Sequence, residues 1–233
     1  MDDKEARLTR ALGRAQAALE RGESLKGTGF WKAVSLAKQD PGIAAKYGSQ
    51  IAEIDRRAFE QAVRLRVPAA VGTAALTLGS LAGIVAVLGA GAVGAPVVRT
   101  GLFLAGTAAV LVCTHSLTHW AVGRLMGMRF THYFLGGPKP PRPGVKVDYA
   151  TYLAASPRQR AIMHASGAVV TKLVPFALFP LALSAQIYPW ASYGLLALGA
   201  AQIATDAAFS TKNSDWMKFR RELALRIAPR EYN

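Results

Sequence analysis

The sequence predicts an all-α polytopic membrane protein, and three observations carry that prediction. The chain of 233 residues is 52% hydrophobic, and its mean hydropathy of +0.21 exceeds what an ordinary soluble domain shows. Its apolar residues come in long blocks. No charged residue occurs between Arg66 and Arg99, a stretch longer than the roughly 20 residues a helix needs to cross a bilayer. The charges, finally, fall into clusters that alternate with those blocks. The expected architecture has about four transmembrane helices, a cytoplasmic N-terminal helical segment and a Pro/Gly-rich, partly extended cytoplasmic loop.

The elements follow in chain order. Residues 1–66 read as a helical segment with its own breaks. Asp3 to Arg21 is rich in Ala, Leu, Arg and Glu and predicts an exposed amphipathic helix, which Gly22 to Gly29 interrupts. Asp40-Pro41 is an N-cap followed by a proline at the first helical position, and Ile51 to Leu65 has apolar residues at helical spacing leading into the first span. The membrane domain covers residues 67–222, with spans at about 68–94, 101–126, 160–185 and 188–209. Gly94-Ala95-Pro96 and Gln186-Ile187-Tyr188-Pro189-Trp190 punctuate the turns. The loop 127–159 contains Gly136 to Gly144, too rich in Pro and Gly to be helical, and Val145 to Tyr152 alternates as an extended arm would. A basic tail occupies residues 223–233.

A net charge of +14 invites a nucleic-acid reading, but its distribution argues for membrane topology. Basic residues collect from Lys4 to Arg66, from Arg124 to Arg160 and from Lys212 to Arg230, whereas the two remaining loops hold only Arg99. Under the positive-inside rule both termini and the middle loop are cytoplasmic. The partner this implies is the lipid bilayer, not nucleic acid. No secretory signal is visible, because the first apolar run follows more than sixty polar and charged residues. The expected location is therefore a cytoplasmic membrane, taken as that of a prokaryote. Cys113 is the only cysteine, so neither a disulfide framework nor a thiolate metal cluster is expected.

The chemistry-bearing feature is Cys113-Thr114-His115-Ser116-Leu117-Thr118-His119-Trp120. Four residues on a helix rotate by about 400°, so His115 and His119 share one face roughly 6 Å apart, the spacing one metal ion needs. His119 lies about five residues, or roughly 7 to 8 Å, before Arg124 at the cytoplasmic boundary. The third span brings His164 to that depth, and the fourth brings Asp206, with Asp215 just beyond its end. Polar groups costly in hydrocarbon thus converge from separate helices. Two readings of Asp206 stay open: it neutralises Lys172, or it works at the site. His132 in the loop is given no role.

The segment from His115 to Phe130, followed by Tyr133-Phe134-Leu135-Gly136-Gly137, resembles the zinc-helix region of the site-2 protease family, peptidase family M50. Met163-His164-Ala165-Ser166-Gly167-Ala168-Val169-Val170-Thr171 resembles that family's Ala-Gly-Pro-x-x-Asn helix, with Ala168 in place of Pro and Thr171 in place of Asn. The stretch from Asp206 to Asp215 resembles its Asn-x-x-Pro-x-x-x-Leu-Asp-Gly segment, although Trp216 replaces the glycine. The resemblance covers about residues 68–222. It implies a metalloprotease that cuts transmembrane substrates, with zinc held by His115, His119 and Asp215. His164, Thr171 and Lys172 are then outer contacts of the ligands or an alternative ligand.

One position departs from that pattern. The family's general base is the glutamate of His-Glu-x-x-His, and here Ser116 occupies it. After Glu60 the acidic residues are Asp148, Asp206, Asp215, Glu222 and Glu231, none of them next to His115. A serine cannot take a proton from a metal-bound water at neutral pH, a loss of about 10²- to 10⁴-fold. The expectation is a zinc-binding, site-2-protease-like membrane protein with weak or absent peptidase activity that binds a membrane segment or a partner protein. The alternatives are an active protease with Asp206 as a displaced base, and a structural membrane protein without metal. Di-iron desaturase chemistry needs more than the four histidines present, and no glycine-flanked serine suggests a Ser/His dyad.

Overall fold

The computed structural model describes residues 3–136, 142–209 and 214–227. The expected Pro/Gly-rich stretch at 137–141 and the last residues of the basic tail, 228–233, lie outside the described residues. The chain divides into two compact units, one of residues 1–69, 123–160 and 222–233, the other of residues 70–122 and 161–221.

The first unit is built on three helices: α1 (Asp3–Glu20), α2 (Phe30–Gln39) and α3 (Pro41–Ala62). On α1 the buried residues are Leu8, Ala11, Leu12, Ala15, Ala18 and Leu19, the three- and four-residue spacing of one helical face. Leu8, Ala11, Leu12, Ala15 and Leu19 pack with Phe30, Val34, Ile43, Ile51 and Ile54 into one core. Gly29 starts α2 at a φ of 85°, a left-handed conformation costly for a residue with a Cβ. Asp40 caps α3, accepting from the Gly42 and Ile43 backbone N–H groups at 2.8 and 3.2 Å, with Pro41 at the first position. The start of α3 agrees with the sequence reading and α1 is amphipathic as expected, but its apolar face is buried in this core and α2 had no counterpart in that reading.

The entry to the first span departs from that reading. The helical spacing of Ile51 to Leu65 breaks at Ala62, and Leu65–Pro68 forms a strand, β1. β1 pairs antiparallel with β2 (Phe130–Gly136), which pairs antiparallel with β3 (Arg142–Val147). The loop therefore supplies two strands, and β1 completes a three-stranded sheet that apolar periodicity alone did not reveal. The extended arm expected up to Tyr152 ends at Val147, because Asp148 accepts from the Ala150 N–H at 2.9 Å and starts a short helix, α4 (Tyr149–Ala154). Two buried carboxylates, Asp55 and Glu222, brace this unit. Lys146 pairs with Asp55 while lying 5.1 and 5.4 Å from the Phe59 and Tyr149 ring centres. Glu222 takes Lys38, Arg160 Nε at 2.6 Å and the Tyr152 hydroxyl at 2.9 Å.

The second unit holds the long apolar helices α5 (Ala69–Gly89), α6 (Pro96–Leu125), α7 (Pro157–Ser184) and α8 (Pro189–Phe209), and the start of α9 (Asp215–Ile227). A 3₁₀ turn at Ala90–Ala92 extends α5. Among the described residues three stretches are long and apolar enough to cross a membrane: Ala69–Ala92, Pro96–Leu125 and Pro157–Ser184. They carry large apolar side chains on the outside, Leu78, Leu81, Val85 and Leu88 among them, which water would penalise and lipid does not. The chain is an α-helical membrane protein. α8 forms where the fourth span is expected, with Gln202 and Asp206 in its second half.

Small residues bring α5 and α6 together. A Cβ on Gly83 would meet the Gly106 carbonyl oxygen at 2.8 Å, and one on Gly106 would meet the Gly83 oxygen at 2.6 Å, so both positions require glycine for backbones this close. At one end, Arg99 Nε donates to the Val93 carbonyl at 2.8 Å and its Nη1 reaches the Ala185 and Gln186 carbonyls. The one basic residue in the two short loops thus satisfies carbonyls where helices end.

Candidate metal centre

The site lies within the second unit. α6 keeps its helical course through the histidine motif, so His115 and His119 stack along one face, their ring centres 4.9 Å apart. Asp215 comes from the first turn of α9, which Ser214 starts by accepting from the Met217 N–H at 3.3 Å. Its Oδ2 lies 3.1 Å from His119 Nε2 and 3.4 Å from His115 Nε2. One ligand atom from each of the three lies within 4.8 Å of the others. The group can hold one metal ion.

Hydrogen bonds set which ring nitrogen faces inward. His119 Nδ1 lies 2.7 Å from the Met163 carbonyl, which can only accept, so Nδ1 carries the proton. His115 Nδ1 lies 2.8 Å from Thr171 Oγ1, whose own proton goes to the Gly167 carbonyl at 2.7 Å. Thr171 therefore accepts from His115. In neutral imidazoles with Nδ1 protonated, both Nε2 lone pairs point at the Asp215 carboxylate. Three ligand atoms converging this closely form a set that one metal ion could bridge. Metal-binding histidines commonly donate their other N–H to a carbonyl or hydroxyl in this way, which fixes ring and tautomer together.

Electrostatics favour the ionised carboxylate. Burial pushes the Asp215 carboxyl up, but its contacts with the His115 and His119 imidazoles and the nearby Lys218 ammonium outweigh that and hold it well below the usual carboxylate range. Lys218 Nζ lies 3.0 Å from Asp215 Oδ1. Gly167 gives His119 its space: a Cβ there would approach the ring Cδ2 at 2.7 Å.

A cleft of about 280 Å³ opens beside this group, lined in part by His115, Asp215, Lys172, Gln202 and Asp206. Of the two readings of Asp206, the structure draws the ion pair: Lys172 Nζ sits 2.5 Å from Asp206 Oδ2 and also donates to the Ala168 carbonyl at 3.1 Å. Asp206 still borders the cleft. Ser116 is half-buried on α6 and is not among the lining residues. His164 is half-buried on α7 and does not join the three-residue group. Thr171 contacts His115 as an outer partner. Sequence reasoning missed Lys218, Gly167 and the Met163 carbonyl. Only Lys218 left a signal, a cation three positions after Asp215 and so one helical turn away.

Comparison with protein-family models, curated proteins and solved structures finds no match to this chain.

Proposed function

We propose that this chain is a site-2-protease-like integral membrane protein that holds zinc through His115, His119 and Asp215, has weak or absent peptidase activity, and binds a membrane segment or a partner protein. One observation carries the metal reading: both histidines spend Nδ1–H on fixed acceptors, Thr171 and the Met163 carbonyl, and turn Nε2 toward one carboxylate oxygen. An N₂O donor set of this kind suits zinc and leaves a coordination position for a ligand. Zinc bound there would supply a Lewis acid and would acidify a water molecule.

The protein's own residues support the loss of proteolysis. Ser116 cannot serve as a base, and Asp206, the remaining carboxylate on the cleft, is committed to Lys172. Asp206 supports the second reading, an active protease with a displaced base, only if that pair opens. In the proposed topology α8 is a fourth span, both termini and the loop between α6 and α7 are cytoplasmic, and the membrane is the cytoplasmic membrane of a prokaryote. The clustering of basic residues supports this orientation. The family resemblance rests on the motif order and on the convergence of His115, His119 and Asp215.

The test is metal analysis and substrate incubation on the purified full-length protein in detergent. About one zinc per chain in the wild type, lost in the His115→Ala, His119→Ala double variant, is the expected result. Equal zinc in both would remove the metal reading and leave a structural membrane protein. A model transmembrane substrate should remain intact. Cleavage abolished by His119→Ala would replace the proposal with the active-protease reading.

A further inference from the structure

We propose that Lys218 is a positioning residue that keeps Asp215 a one-oxygen ligand and so preserves an open coordination position at the metal centre. The inference rests on the metal reading above and concerns how the carboxylate is divided. Asp215 Oδ2 faces both imidazoles, 3.1 Å from His119 Nε2 and 3.4 Å from His115 Nε2. Its other oxygen, Oδ1, belongs to Lys218 Nζ at 3.0 Å. A carboxylate with one oxygen held by an ammonium group cannot turn both oxygens onto the same cation without giving up that charge-assisted hydrogen bond.

Lys218 lies one helical turn after Asp215 near the start of α9, the end at which the helix dipole favours acidic side chains over basic ones. Asp215, at the start of the same helix, is placed as the dipole prefers. The lysine therefore stands against the local field. What it gains there is the carboxylate, three residues back on the same face.

The consequence is a choice of metal and geometry. A zinc ion held by two imidazole nitrogens and one carboxylate oxygen would keep a position for a further ligand. Such a ligand would enter through the cleft that His115 and Asp215 help to line. Without Lys218 the carboxylate can chelate through both oxygens, raising the coordination number and favouring harder cations such as manganese.

Cobalt(II) in place of zinc reports this directly, because four-coordinate cobalt absorbs visible light far more strongly than five- or six-coordinate cobalt. The full-length protein in detergent is stripped with a chelator and titrated with cobalt chloride, and zinc and manganese are then competed against it. The wild type should show the strong four-coordinate bands. Lys218→Met should bind cobalt with bands several-fold weaker, and manganese should compete about tenfold better than against the wild type. Lys218→Arg should restore the wild-type spectrum. Wild-type bands and competition in Lys218→Met would overturn the proposal while leaving the metal centre intact. Loss of cobalt uptake in both Lys218→Met and Lys218→Arg would also overturn it, since it would mark a general structural role. A wild type that takes up no cobalt and no zinc would instead overturn the metal reading on which the proposal rests.

Discussion

His119 and Asp215, 96 positions apart in the chain, meet with Nε2 and Oδ2 at 3.1 Å. His119 is held from behind by the Met163 carbonyl at 2.7 Å, and Asp215 by Lys218 at 3.0 Å. Each partner is thus oriented by a group on its far side. Such preorientation lowers the cost of bringing ligands together, since rotamers already fixed lose little freedom on binding.

Thr171→Val removes the acceptor for His115 Nδ1–H while keeping the volume nearly constant. The ring then loses its fixed tautomer and orientation. Zinc affinity should fall by about 10- to 100-fold, read by competition against a fluorescent chelator. Thr171→Ser keeps the hydroxyl and should stay near wild type.

Gly167→Ala places a methyl group against the His119 ring, 2.7 Å from Cδ2 and 2.8 Å from Cε1. The ring cannot swing aside without breaking its bond to Met163. Metal affinity should drop by at least about tenfold. Gly194→Ala, on α8 where a Cβ meets nothing within 4 Å, is the matched control and should leave affinity unchanged.

Glu222 is buried between Lys38, Arg160 and the Tyr152 hydroxyl. Burial raises its carboxyl, but Lys38 and Arg160 outweigh that, and its folded value lies below the ordinary 4.5. A depressed carboxylate contributes stability that is complete above its unfolded value and disappears as pH falls through the folded one. Glu222→Gln strands two cations and should cost about 3 kcal/mol at neutral pH. In detergent melts at a series of pH values, the wild-type advantage over Glu222→Gln should shrink below pH 4.5. Asp55 acts in the opposite sense, because burial outweighs Lys146 and raises its carboxyl. For that reason the difference between the two proteins, not the wild-type curve, carries the prediction.

Gly106→Leu drives a side chain into the Gly83 carbonyl and the Val87 side chain on α5. Overpacking at such a crossing should lower stability by about 1–3 kcal/mol, measured as a shift in unfolding midpoint in detergent. Gly101→Leu, on the same helix but facing open space, should change it little.

What was legible in the sequence was local. Helical spacing placed His115 and His119 on one face, Asp40-Pro41 announced the start of α3, and charge-free apolar blocks announced the long helices, because each depends on residues within a few turns of one another. The break at Ala62 was not legible, since β1 exists by pairing with β2 about seventy positions later. The share of Asp206 was not legible either. Its pairing with Lys172 depends on how α7 and α8 lie together, and only packing set that distance at 2.5 Å.

The sequence alone therefore determined a membrane-spanning helical chain with two aligned imidazoles and no glutamate beside them. Tertiary structure decided which carboxylate reaches those imidazoles, which nitrogen each presents, and which cation divides the carboxylate. The physical reason is range. Helix periodicity and hydropathy act between neighbours, whereas a hydrogen bond or a ligand contact requires atoms within about 3 Å. Groups far apart in the chain meet that condition only when whole helices pack.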